Sequence, residues 1–79
     1  MSDLKGLLTY IAQNLVDIPD EVNVTERETE TETIFELRVN ASDMGKVIGR
    51  QGRIAKEIRA LMRSVALRQG KRISVDIVD

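Results

Sequence analysis

Apolar residues recur at helical spacing in Leu4, Leu7, Leu8, Ile11 and Leu15, which predicts an amphipathic helix over about residues 3–16, with Ser2 or Asp3 as N-cap. The helix should end before Pro19. Its stripe reads as core packing, and Tyr10 as a surface or edge residue. Alternation with period two follows in Glu21-Val22-Asn23-Val24-Thr25 and again in Ile34-Phe35-Glu36-Leu37-Arg38-Val39, which predicts two strands. Phe35, Leu37 and Val39 should face the core, with Glu36 and Arg38 on the other side. The polar run 26–33 between them, without Gly, Pro or Asn, reads as frayed hairpin ends and a connecting loop that keeps a strand edge soluble.

A second, short helix is expected from Ala41 or Ser42, capped by Asn40 or Ser42, turning Met44, Val47 and Ile48 inward and stopping at Gly49. From Arg53 to about Arg68 a longer helix carries Ile54, Ile58, Leu61, Met62, Val65 and Ala66 as its apolar stripe and a strongly basic opposite face, with Gly70 as its stop. Residues 71–78 supply a last strand with Ile73, Val75 and Ile77 on one side. The predicted order is α-β-β-α-α-β, an α+β fold in which helices cover one face of a three-stranded sheet. With 79 residues the whole chain, 1–79, makes one small domain.

Composition narrows the chemistry. There is no cysteine and no histidine, so disulfides, thiolate ligands, the commonest metal ligand and the usual general base are all missing. That points to an intracellular, non-enzymatic protein without metal or cofactor. The first residues lack the pattern of a signal peptide, and no stretch approaches the ~20 apolar residues of a membrane span, so a soluble, cytoplasmic protein with no membrane partner is expected.

The net charge of −1 hides a division along the chain. Residues 1–43 carry ten acids and three bases, whereas residues 44–79 carry nine bases and three acids. The basic half surrounds the most informative stretch, Gly45-Lys46-Val47-Ile48-Gly49-Arg50-Gln51-Gly52-Arg53. Two glycines around Arg50 and Gln51 remove Cβ where a backbone must bend tightly or another must come close. The helix that follows would point its first free N–H groups back into the loop, and a helix N-terminus attracts anions. Lys46, Arg50, Arg53 and Lys56 add charge around the same point, and Gln51 can donate and accept hydrogen bonds there. The stretch reads as a phosphate-holding loop. It is no nucleotide-hydrolysing P-loop, because it lacks the Gly-Lys-Ser/Thr ending.

The run Val47-Ile48-Gly49-Arg50-Gln51-Gly52, between two short helices in an α-β-β-α-α-β chain, resembles the GxxG loop of KH domains in the type II, prokaryotic arrangement. Residues 43–56 in so short a chain further resemble the small bacterial single-KH RNA-binding proteins of the KhpA (YlqC) family. The resemblance implies a four-nucleotide RNA single strand, its backbone clamped at Gly49, Arg50, Gln51 and Gly52. Lys46, Arg53 and Lys56 would neutralise phosphate, and the bases would lie in an apolar groove lined by Val47, Ile48 and the facing Phe35, Leu37 and Val39. It also implies an RNA chaperone or post-transcriptional regulator, a partner in a larger KH protein (KhpB, also Jag or EloR), and self-association as a homodimer. Ala55 departs from the family's pattern, since many KH domains carry a large aliphatic residue there, and the acidic 26–33 run opposes RNA binding nearby. The competing reading is a protein-interaction module that keeps a KH shape with little RNA affinity. Modules that stack bases on exposed aromatics fit less well, because the only rings are Tyr10 and Phe35.

Overall fold

A computed structural model describes residues 3–78. Helix α1 spans Leu4–Leu15, and a 3-10 turn at Pro19–Glu21 leads into β1, Asn23–Glu28. Strand β2, Thr33–Arg38, is followed by a 3-10 turn at Ala41–Asp43, helix α2 at Met44–Ile48, a tight turn at Arg50–Gly52, helix α3 at Arg53–Arg68 and strand β3 at Ile73–Val78. The element order is the expected α-β-β-α-α-β. The sheet runs β1-β2-β3, with β1 and β2 antiparallel and β2 and β3 parallel.

The core is a single layer between α1 and α3 on one side and one sheet face on the other. Leu4, Leu8 and Ala12 of α1 and Ile58, Met62 and Ala66 of α3 pack on Val24, Phe35, Leu37, Ile73 and Val75 of the strands. All of these are buried, and each such side chain contributes roughly 1.5–3 kcal/mol through its removal from water, less for alanine. The opposite sheet face is mostly polar, with Ile34 and Val78 as apolar members. There Glu36 accepts from Thr25 Oγ1 at 3.2 Å and stands 3.8 Å from Arg27 and 3.9 Å from Arg38.

The structure departs from some of these expectations. Glu21 lies in the 3-10 turn, and β1 runs on to Glu28, so part of the polar run is strand; β1 is a sheet edge, which tolerates charge where a central strand would not. The hairpin turns without Gly or Asn because Thr29 does the work of a turn residue. Its Oγ1 accepts from the N–H of Thr31 (3.3 Å) and of Glu32 (3.1 Å), and its own N–H donates to the Glu32 carbonyl at 2.8 Å. Ile48 and Leu61, placed in apolar stripes, are 37% and 48% exposed. Val39, just past the end of β2, is half-buried and packs against the core as expected. At the N-terminus of α1, Asp3 occupies the cap position without a side-chain cap bond, and Ser2 lies outside the described residues. Asn40 is the cap before α2, its Oδ1 accepting from the Ser42 N–H at 2.9 Å. Tyr10 is exposed, as its place on the polar face of α1 requires.

Candidate nucleic-acid interface

The turn between α2 and α3 is closed by a hydrogen bond from the Gly52 N–H to the Gly49 carbonyl, 3.1 Å long. Gly49 has φ +76° and ψ 173°, a region that residues with a Cβ essentially do not enter. A Cβ there would also overlap Ile54 Cγ1 and stand 2.9 Å from the Ile54 backbone nitrogen. Gly52 has φ +74°, but a Cβ on it would meet no atom within 4 Å, so the space above it is open. Between them Gln51 takes φ +58°, the one non-glycine among the described residues with a positive φ. The backbone is thus folded tightly beneath and left clear above, where another backbone can approach.

This geometry separates the two glycines energetically. Gly49→Ala is expected to cost about 2–3 kcal/mol, from strain and the clash with Ile54 together, whereas Gly52→Ala costs about 1 kcal/mol from its backbone angle alone. Urea unfolding of the two variants measures the difference. Equal losses would show that Ile54 does not brace the turn.

Among the described residues no side chain caps α3, and of its first-turn N–H groups that of Arg53 is already taken by the Arg50 carbonyl. Arg50, Gln51, Arg53 and Lys56 are all exposed around that end. Among the described residues, no carboxylate lies within ion-pairing distance of Arg50, Arg53 or Lys56. A negatively charged group placed over the turn would meet uncompensated positive charge from the backbone and from three side chains.

Other expected members sit differently. Lys46 is exposed but already engaged, its Nζ 3.3 Å from Asp17 Oδ2 and 3.8 Å from Asp43 Oδ1. Val47 is fully buried, so its side chain holds α2 down and cannot touch a ligand; Ile48 is the apolar neighbour that reaches solvent. Phe35 and Leu37 are likewise sealed in the core and cannot line an open groove. The surface that continues from the turn is instead the flank of α3 turned toward β3. Arg59, one helical step beyond Lys56, marks it by donating from Nε to the Val75 carbonyl of β3 at 3.0 Å. Ala55 is buried and Ile54 half-buried beneath Gly49, so α3 keeps its small residue against the interior.

One residue that pattern reading passes over holds the site in place. Asp43, 1% exposed, ends the 3-10 turn before α2 and accepts from the backbone N–H of Asp17 at 3.1 Å and of Ile18 at 3.0 Å. It ties the segment after α1 to the base of the glycine turn. Lys46 adds a surface contact to the same knot, worth about 0–1 kcal/mol.

A parallel β2–β3 pair, an antiparallel β1 beside it and a GxxG turn between two helices of the crossover define a type II KH domain. Comparison with known proteins reaches the same class: the family model for the KhpA/KhpB KH domain matches residues 5–77. The chain belongs to that family. It is 52% identical to the RNA-binding protein KhpA of Clostridium acetobutylicum over 75 residues, 95% of this chain and 100% of the relative. It is 43% identical to the RNA-binding protein KhpA of Aquifex aeolicus over 79 residues, the full length of both. Among solved structures, Era of Aquifex aeolicus matches with a TM-score of 0.70 and 19% identity over 94% of this chain, which spans 29% of that one. That likeness is one of fold.

Proposed function

We propose that this protein is a non-enzymatic RNA-binding protein of the cytoplasm that holds a single strand by its phosphates at the Gly49–Gly52 turn. The observation that carries the reading is the conjunction at one point of a clear backbone, a helix start without a side-chain cap and three cations that, among the described residues, have no ion pair. Arg50, Arg53 and Lys56 neutralise phosphate, the positive end of the α3 dipole adds to their field, and Gln51 adds a hydrogen bond. Lys46 joins only if phosphate displaces Asp17. The names of its relatives, RNA-binding protein KhpA, support the same reading. Bases lie along Ile48 and the α3 flank, and so small a clamp is only loosely selective, which suits an RNA chaperone or post-transcriptional regulator.

Such a protein works with others. Ile11, Leu15, Ile54, Ile58 and Leu61 line an apolar hollow between α1 and α3, away from the β3-facing flank of α3. With Leu61 nearly half exposed, this hollow is the face we assign to a larger KH partner of the KhpB type or to a second copy of the chain.

Fluorescence anisotropy of a short labelled single-stranded RNA tests the clamp. Three phosphate contacts give a slope of log K against log salt of about −2, so affinity should fall about 15-fold between 50 and 200 mM salt. No binding at low salt would sink the reading and favour an interaction module that uses the apolar hollow.

A further inference from the structure

The basic flank of α3 does not stop near the glycine turn. Lys56, Arg59 and Arg63 follow one another along the flank that faces β3, and beyond them the helix ends in a concavity lined by Arg63, Leu67, Lys71, Arg72 and Ile73. Its volume is about 300 Å³, the lower end of the range for small-ligand sites. Among the described residues no carboxylate pairs directly with Arg63, Lys71 or Arg72, although Lys71 and Arg72 also border a hollow that holds Glu26, Glu28 and Glu32. Between them Leu67 is 76% exposed, an isolated large apolar side chain in an otherwise charged surface, while Ile73 forms a buried floor.

We propose that this concavity at the end of α3 is a second contact site for the RNA, taking phosphates and one base of the segment that leaves the glycine turn. The inference rests on the proposed RNA clamp and extends it. A helix of 16 residues is about 24 Å long, so the concavity lies well beyond a clamp confined to the other end. The chain reverses after α3, where the Lys71 N–H donates to the Ala66 carbonyl at 2.9 Å, and β3 then runs back beside the helix. Helix and strand edge are bridged midway by Arg59 on Val75. A strand laid along this seam meets a cation at each step and ends over Leu67, which offers a base an apolar face. On the far side of Lys71 and Arg72 the carboxylates of Glu26, Glu28 and Glu32 line another hollow. There the potential changes sign, which sets the end of the path.

The test is anisotropy with single-stranded RNAs of about 4, 8 and 12 nucleotides, at several salt concentrations, using the full chain. Two variants are compared with wild type: the triple Arg63→Gln, Lys71→Gln, Arg72→Gln, and Leu67→Ser. All four positions are exposed, and circular dichroism confirms folding. The ratio of wild-type to variant affinity at each length removes the statistical advantage of longer strands. That ratio should be near one for the shortest RNA and about ten for the longer two. The salt slope of wild type should steepen by about 1.5–2 units from the shortest to the eight-nucleotide RNA, and not in the triple variant. Leu67→Ser should weaken the longer RNAs about threefold with no change in slope. A length-independent ratio of one, with the shortest RNA still bound, overturns the second site and leaves the clamp standing. Failure of wild type to bind any of the three overturns both.

Discussion

Arg50→Asp combined with Gln51→Asp is expected to abolish the proposed binding of single-stranded RNA and to leave the fold intact. Both side chains are exposed and make no hydrogen bond or ion pair among the described residues, so neither supports the core. Gln51 sits at φ +58°, a conformation in which Asp is among the better tolerated residues with a Cβ. The backbone turn therefore persists. What changes is the field over it, because the pair of substitutions replaces one positive charge by two negative ones where phosphate must rest. Like charge at that distance costs several kcal/mol, and the expected loss of affinity is at least about 100-fold at low salt. Anisotropy reads the loss, and a thermal melt within about 2 °C of wild type shows that folding is spared. Normal binding by the double variant would remove the turn from the site.

Asp43→Ala is expected to produce the largest loss of stability from a single polar residue in the chain. The carboxylate is buried and satisfies two backbone donors, Asp17 N–H and Ile18 N–H, from a distant segment. Alanine leaves both without a partner and deprives Lys46 of one of its two carboxylates. An unsatisfied donor costs about 1–3 kcal/mol; with partial access of water to this loop the sum is about 2–3 kcal/mol. In a domain of this size that lowers the melting temperature by about 10–20 °C. Asp43→Asn keeps one acceptor oxygen and should lose about half as much. RNA affinity measured well below the melt should also fall a few-fold, because Asp43 stands at the base of α2 and fixes where the turn begins. A melting temperature within about 3 °C of wild type would show that the Asp43 carboxylate contributes nothing to stability.

The framework was legible because its signals are periodic. The stripe through Leu4 and Leu8, the alternation through Phe35 and Leu37, and the run from Ile58 to Ala66 each identify an element and its inward face. The glycine turn was legible because Gly49 ends one predicted helix and Gly52 immediately precedes the next. Burial depth was not legible. Val47 and Ile48 are adjacent apolar residues of one short helix, yet one is sealed and the other is 37% exposed, a difference decided by what α1 and α3 cover. Leu61 fits the helical stripe and still faces outward, because the stripe is wider than the surface available to bury it. Asp43 left no trace, since a single acid in a polar loop looks the same whether it is solvated or receives two N–H groups from another segment. The far half of β1 was hidden for a related reason: an edge strand can be polar throughout and owe its conformation to backbone pairing with Phe35 and Ile34.

The parallel pairing of β2 with β3 also sets an order of assembly. The β1–β2 hairpin closes over the four residues Thr29–Glu32 and needs only local contacts. Pairing Thr33 with Ile73 and Arg38 with Val78 requires the whole crossover through α2, the glycine turn and α3 to be in place. Contacts so far apart in sequence are entropically slow to close, so the parallel ladder is the late event in folding. The turn proposed to receive phosphate lies inside that crossover, and α3 gains its contacts with Ile73 and Val75 only once β3 has docked. A partly folded chain can hold the hairpin and α1 and still present no clamp, which ties capture of a strand to completion of the fold.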